Sequence, residues 1–135
     1  MSSAKDVRTD RFYTREHEWA KSADAEVLVG ISAFAVDQLG DITLVDLTIK
    51  PGDKLEKHQV FGTVESVKTL SDLFAPIAGR VTRINTDLAD HPEWVNDDCW
   101  EKAWMVAITP EAAPIAGNDL LDPVAYARHL EESEH

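Results

Sequence analysis

The chain has 135 residues, enough for one domain with one ordinary hydrophobic core. Hydrophobic residues make up 44% and charged residues 28%, the balance of a soluble globular protein, which excludes a disordered chain. A formal net charge of -12 excludes the clustered-cation chemistry of nucleic-acid binding, and no apolar run approaches the roughly 18 to 20 residues of a membrane-spanning helix. The acidic excess suits a carrier that meets partners by electrostatic complementarity, or serves solubility alone. Met1 to Asp10 are polar and mixed in charge, without a signal core or transit-peptide character, so a cytoplasmic location is expected. The single cysteine, Cys99, cannot form an internal disulfide, which suits a reducing compartment.

Taken in order, residues 11 to 31 read as a hairpin. Phe12-Tyr13 opens it, Glu18-Trp19-Ala20 continues it, Lys21 to Glu26 turns, and the β-branched run Val27 to Ile31 returns. Ser32 suits a helix N-cap, Ala33 to Leu39 supplies two turns, and Gly40 stops them, with Ile31 and Val36 at staple spacing. From Asp41 to Ile49 the alternation changes phase: Ile42 and Leu44 share one face, and Val45, Leu47 and Ile49 the other. A slip of that kind predicts a bulge or sharp bend. Pro51-Gly52-Asp53 is a turn of type II chemistry.

Val60 to Ser66 and Leu73 to Ile77 are strand-like runs on either side of a short polar tip that carries Lys68. Arg80 to Ile84 is another short strand. Thr86 to Asn96, broken by Pro92, predicts turns or one short helix, and Trp104 to Ile108 the last strand. Pro110 to Gly117 reads as a loop. Asp122 caps a final helix that opens on Pro123, with Leu121 and Tyr126 at staple spacing. Strands separated by turn signals, with short helices at the margins, point to a mainly antiparallel β sandwich. The Pro and Gly turns at Pro51-Gly52 and Pro76 to Gly79 hint at two facing halves.

The tip is the place where chemistry enters. A free lysine titrates at about 10.4, so almost none of it is a nucleophilic amine at pH 7, and a Schiff-base lysine needs burial or nearby cations. Lys68 has the opposite setting, an apparent hairpin tip with Glu65 and Asp72 close by. It is suited to being acylated by another enzyme. The alternative is one more solvated surface lysine. The five histidines, His17, His58, His91, His129 and His135, show no metal-ligand spacing, and His17-Glu18 lacks the second histidine of a zinc-protease helix.

Glu65-Ser66-Val67-Lys68, followed by Ser71-Asp72 and then Pro76 and Gly79, resembles the lipoylation site of the H-protein family of the glycine cleavage system. The resemblance extends through Tyr13, His17-Glu18-Trp19, Val29-Gly30-Ile31, Leu39 to Ile42, Val64, Leu88-Ala89-Asp90, Pro92, Val95-Asn96 and Trp104. It covers Phe12 to Thr109. A biotin carrier flanks its lysine with methionines, and 2-oxo acid dehydrogenase lipoyl domains read Asp-Lys-Ala; Val67 and Thr69 match neither.

The resemblance implies a mainly β barrel-sandwich hybrid, of the lipoyl- and biotinyl-carrier kind, with short peripheral helices and a C-terminal helix. Residues 12–130 would form that domain, with a flexible segment over 1–11 and a frayed tail over 131–135. It implies lipoic acid in amide linkage to Lys68, attached by a lipoate ligase or an octanoyl or lipoyl transferase. The arm would take an aminomethyl group from glycine decarboxylase, deliver it to an aminomethyltransferase, and be reoxidised by dihydrolipoamide dehydrogenase. A flexible arm raises the effective concentration of cargo at each partner. The chain would then be a monomeric carrier without catalytic residues, metal, nucleic-acid or membrane partners.

In that family the loaded arm folds into a surface cleft. Carried over by position, Glu18, Gln38 and Asp72, with Glu65 beside the lysine, are the arm-docking residues, unless Glu16 and Glu18 only form a solvated strand face. Three departures stand out. Gln38 replaces a frequent histidine, Glu16 a small or polar residue, and Cys99-Trp100-Glu101-Lys102-Ala103 a Pro- and Gly-rich turn. Losing those glycines predicts an altered turn. Trp100 and Trp104 could mark a partner surface, with core packing the use expected of Trp104, and Cys99 is either a redox thiol or packing. The departures keep open a second carrier reading, an H-like lipoate-binding protein that carries sulfur in cytoplasmic sulfur oxidation with a heterodisulfide-reductase-like complex. An unmodified interaction module on the same fold is the alternative of another class.

Overall fold

The computed structural model describes residues 6–112 and 120–133. Among these residues nine strands form two antiparallel sheets: β1 (Phe12–Tyr13), β2 (Glu18–Ala23), β3 (Glu26–Ile31), β4 (Ile42–Leu47), β5 (Lys54–Leu55), β6 (Val60–Ser66), β7 (Leu70–Phe74), β8 (Gly79–Ile84) and β9 (Val106–Pro110). The larger sheet runs β1-β2-β3-β9-β8-β5 and the smaller β4-β6-β7. Among the described residues three helices, α1 (Ala33–Leu39), α2 (Trp94–Asp97) and α3 (Pro123–Ser133), lie between or after the strands, with a 3-10 turn over Thr86–Ala89. No helix among the described residues is long and apolar enough to cross a membrane.

Local chemistry explains most boundaries. The Ser32 hydroxyl accepts the Ala35 N–H at the start of α1, and Gly40, at φ 82°, donates its N–H to the Val36 carbonyl at the end. Asp122 caps α3 by accepting the Ala125 N–H at 2.8 Å. The phase change read in 41–49 is a register shift against β6 between Ile42 and Leu44. Gly52 sits at φ 96°, as the type II turn requires. The two Pro and Gly segments do meet: Gly52 donates to the Val81 carbonyl at 2.7 Å, and β5 pairs with β8.

Some boundaries differ from expectation. Instead of starting at Leu73, β7 starts at Leu70, because Leu70 pairs with Glu65 and leaves only Val67 to Thr69 unpaired. The last strand starts at Val106; Met105 instead donates to the Val29 carbonyl and accepts from Asn85. Thr86 to Asn96 holds a 3-10 turn and a separate helix rather than one. The Pro110–Gly117 loop is described only as far as residue 112.

The core lies between the sheets and under α3. Trp19 stands opposite Gly30 in the β2–β3 ladder, and a Cβ at Gly30 would sit 2.5 Å from the Trp19 ring, so only glycine admits the indole. Trp19 Nε1 donates to the Ile31 and Cys99 carbonyls. Tyr126 of α3 stacks on Tyr13 with centroids 4.1 Å apart, and the backbones of Tyr13 and Leu121 exchange two hydrogen bonds. These contacts seal the helix onto the edge of the larger sheet.

The expected free N-terminal segment is anchored from Asp6 onward. Asp6 accepts the Trp100 indole N–H at 3.1 Å, the Arg8 carbonyl accepts the Tyr13 hydroxyl, and Arg11 is buried between the Trp19 and Trp100 rings. Residues 1–5 lie outside the described residues. The tail expected to fray from Glu131 is helical to Ser133, and the last two positions of that expectation are likewise undescribed.

Candidate functional site

Lys68 lies at the centre of the three-residue tip between β6 and β7. The tip is built from one serine. Ser66 donates its N–H to the Thr69 carbonyl at 2.8 Å, and its hydroxyl oxygen accepts the N–H groups of Lys68 and Thr69 at 3.1 Å each. A side chain that satisfies two turn donors replaces the ladder bonds lost where the strands part. Val67, the first residue of the tip, donates to the Asp41 carbonyl at 3.1 Å.

That carbonyl belongs to the corner between α1 and β4. Asn96 clamps the corner from below: its amide N–H donates to the Gly40 carbonyl at 3.1 Å, and its oxygen accepts the Ile42 N–H at 2.8 Å. The lysine stem rests against the same corner. A Cβ placed on Gly40 would lie 3.3 Å from Lys68 Cε and 3.9 Å from Nζ. The backbone of the tip is therefore held at Val67, Lys68 and Thr69, while the Lys68 side chain lies exposed against Gly40. Gly40 and Asn96 were visible in the sequence only as a helix stop and part of a motif; their contact with the tip depends on tertiary packing.

Of the other residues assigned to arm docking, Glu65 is the next-to-last residue of β6, three before the lysine, and is exposed. Asp72 is exposed on β7, and Gln38 is exposed on the last turn of α1, two residues before Gly40. Glu18 is the exception. It is only 2% exposed, so it is no solvated strand face. Its carboxylate accepts the Thr14 hydroxyl at 2.6 Å and, from the other sheet, the Phe74 N–H at 3.2 Å. Burial pushes its carboxyl above the ordinary range, against the pull of those two donors. Glu18 is thus a bracket that pins the free edge of β7, the strand of Asp72. Glu16 is exposed.

The bracket is set by the loop before it. Thr14 Oγ1 accepts the N–H groups of Glu16 and Glu18, and His17 adopts a left-handed φ of 78°. The His17 ring packs on Phe34 at 4.6 Å, and its Nδ1 lies 2.9 Å from the Tyr126 hydroxyl, which in turn meets Ser32 Oγ at 2.6 Å. Burial first, and then the neighbouring His129, lower the His17 ring to about 4. With a neutral imidazole, His17, Tyr126 and Ser32 form one hydrogen-bonded chain from α1 to α3.

The departure at 98–104 turns out to be structural. Asp98 replaces the lost glycines: its carboxylate accepts the N–H groups of Trp100 and Glu101, at 3.2 and 3.1 Å. The turn closes without a left-handed residue among 98–104. Trp100 is 4% exposed and packs in the core, whereas Trp104 is half-buried under the Arg83 guanidinium at 4.9 Å. Cys99 is buried, and burial pushes its thiol up to about 12, so it is no redox thiol beside the arm. Three surface hollows, of about 420, 370 and 300 Å³, border α3, Trp104 and Arg11 respectively. None of these three is lined by Lys68, Gln38 or Asp72.

A two-sheet antiparallel domain that presents one braced lysine on a tight hairpin is a carrier-type fold. The chain matches the family described as Glycine cleavage H-protein over residues 11–133, and it belongs to that family. It is 44% identical over 129 residues to the glycine cleavage system H protein of Anaeromyxobacter sp. (strain K), an alignment covering 96% of this chain and 99% of that protein. It is 50% identical over 101 residues to the H protein of Oceanobacillus iheyensis, covering 75% and 79%. The crystal structure of a glycine cleavage system H protein from Mycobacterium marinum superposes with a TM-score of 0.82 at 32% identity, covering 96% of this chain and all 100% of that one.

Proposed function

We propose that this chain is the lipoyl carrier of a glycine cleavage system, with lipoic acid joined in amide linkage to Lys68. The observation that carries the reading is the tip itself, where an exposed lysine stands on a three-residue turn whose backbone is fixed from both sides. The residues present suit an acyl-lysine. The amine is accessible, and the stem lies along a surface from which a Cβ is missing at Gly40. When attached, lipoic acid supplies a dithiolane whose sulfurs carry a one-carbon amine unit between enzymes.

The chain's own residues hold and orient. Ser66, the Asp41 carbonyl and Asn96 fix the base of the arm, so that motion belongs to the side chain and not to the hairpin. Asp72 and Gln38 are the polar groups proposed to meet the loaded arm, with Glu65 beside its root. Glu18 supports them by bracing β7 through Phe74. The partners are then a lipoate ligase or an octanoyl or lipoyl transferase, followed by glycine decarboxylase, aminomethyltransferase and dihydrolipoamide dehydrogenase. The domain acts as a monomeric, non-catalytic component in the cytoplasm. What supports glycine over the sulfur-carrying reading is the naming of the relatives, together with a 98–104 turn whose Cys99, Trp100 and Ala103 are buried in the core.

Intact mass after incubation with lipoate, ATP and a lipoate ligase tests the attachment. We expect a gain of one lipoyl group, lost in Lys68→Arg; no gain in the wild type would end the carrier reading and leave an interaction module. Glycine-dependent carbon dioxide exchange with a glycine decarboxylase tests the cargo. Full lipoylation without exchange would transfer the chain to the sulfur-carrying alternative.

A further inference from the structure

The outer face of the smaller sheet carries side chains that the fold does not use. Strand register sets them in two rows next to the tip. In the first, Leu44 of β4 stands opposite Glu65 of β6, which stands opposite Leu70 of β7. In the second, Asp46 stands opposite Thr63, which stands opposite Asp72. The alternate residues of the same strands, Val45, Val64 and Leu73, are buried, so both rows point away from the core. Leu44 is 43% exposed, Leu70 62%, and Val67, within the tip, 69%.

Exposed leucines at a tip are not explained by folding, because burial would stabilise them and polar residues would serve a solvated face better. Some acids elsewhere are neutralised by a neighbouring cation. On the larger sheet Glu26 is paired with Arg83 at 2.7 Å, and near it Asp10 with Arg11 at 2.8 Å. The ion pairs among the described residues include none at Asp46, Glu65 or Asp72. The rows therefore present an apolar stripe followed by an unneutralised acidic one, continuous with the lysine.

We infer that this face is the docking surface for the enzyme that acylates Lys68, a protein partner offering an apolar seat rimmed by cationic side chains. The inference rests on the carrier reading above. Its reason is reach. The acylating enzyme must bring an activated acyl carbonyl to Nζ before any arm exists, so that the amine displaces the activating group and gives up a proton. It must then cover the surface within one lysine side chain of the tip, which is the first row and Val67. Enzymes that meet the finished arm are spared that constraint, because the arm spans the gap for them. Complementary charge on the second row would speed and orient the encounter.

The test compares rates of lipoylation with later use of the arm. With lipoate, ATP and a lipoate ligase, the double variant Leu44→Ser/Leu70→Ser is expected to lose about tenfold in kcat/KM for the apo-carrier, mainly through KM. Asp46→Lys is expected to lose about tenfold at low ionic strength, shrinking toward wild type at roughly 0.5 M salt. Thermal midpoints should match wild type, because these side chains are exposed. The same variants, driven to full lipoylation by long incubation, should support glycine-dependent exchange within about twofold of wild type. Lipoylation at the wild-type rate in both variants would overturn the docking surface while leaving the carrier reading intact, since Lys68 would still be modified. Sedimentation that shows a dimer dispersed by Leu44→Ser/Leu70→Ser would overturn it as well, by assigning the face to a second copy. Absence of any mass gain in the wild type would remove the carrier reading, and this inference with it.

Discussion

The two sheets treat apolar and charged side chains in opposite ways. Around the larger sheet Tyr13, Trp19, Trp100 and Tyr126 are buried together, and the Arg11 guanidinium stacks between two of the indoles with its donors satisfied by Trp100, Asp10 and Glu101. Among the described residues, four of the five exposed large hydrophobics, Leu44, Val60, Val67 and Leu70, lie on the smaller sheet and its tip, the fifth being Val124 of α3. The difference teaches a division of labour. Stability is concentrated where long-range aromatic contacts close over one another, and the sheet that carries Lys68 is held from behind, which frees its outer face for recognition.

The sharpest way to break that division is to remove a core indole. Trp100→Ala should cost about 3 to 5 kcal/mol of unfolding free energy, because it empties a buried site and strips Arg11 and Asp6 of partners. Urea titration measures the loss, while the lipoylation rate per folded molecule should stay at the wild-type value. A large fall in that rate for the folded fraction would show that the two sheets are not separable.

A smaller effect follows from pH at the junction between α1 and α3. His17 has an ordinary value of 6.5 and is held near 4 in the fold, so between those values the unfolded chain binds more protons than the native one. Its contribution is complete above 6.5 and is lost as pH falls toward about 4, roughly 2 kcal/mol after allowing for solvent at this partly exposed ring. Glu18, raised by burial, acts in the opposite sense, favouring the fold as pH falls through its native value. Unfolding midpoints at pH 7 and pH 5 should therefore be compared between wild type and His17→Asn, which tolerates the left-handed backbone. The variant should show the flatter loss on acidification; parallel profiles would mean that His17 does not carry the dependence.

The smallest change expected is at the tip. Ser66→Ala removes the acceptor for two backbone donors in an exposed turn and should cost about 1 kcal/mol, because water replaces part of what is lost. Faster amide exchange at Lys68 and Thr69, with the global unfolding midpoint nearly unchanged, is the signature to seek. Unaltered exchange there would assign the rigidity of the tip to Val67 and Asp41 instead.

Much of this was legible in the residues. Ser32 and Gly40 bound α1 as read, Asp122 caps α3, and the slip at Ile42 to Leu44 is a register shift, because caps, glycine stops and face periodicity are local chemistry. Lys68 and its tip were likewise visible in the spacing of two strand-like runs. Glu18 was not. A lone acid before a tryptophan reads as a surface residue, and only the approach of β7 from the other sheet turns it into a buried bracket. Core packing was expected of Trp104, yet Trp100 is the more buried of the two, since their burial depends on where Arg11 and Arg83 arrive. Asn96 was one polar residue in a broken stretch until the corner it clamps came into view.

The sequence by itself therefore determined the strand and helix order, the caps, and the position of Lys68 on a short tip, since each depends on neighbours within a few residues. Only the tertiary structure decided what steadies that lysine and what surrounds it. The Gly40 bed, the Asn96 clamp and the Glu18 bracket each join segments more than twenty residues apart, and the outward rows of Leu44, Asp46, Leu70 and Asp72 exist only once the register of three strands is set. Register is a long-range choice, made by the buried partners Val45, Val64 and Leu73 on the opposite face.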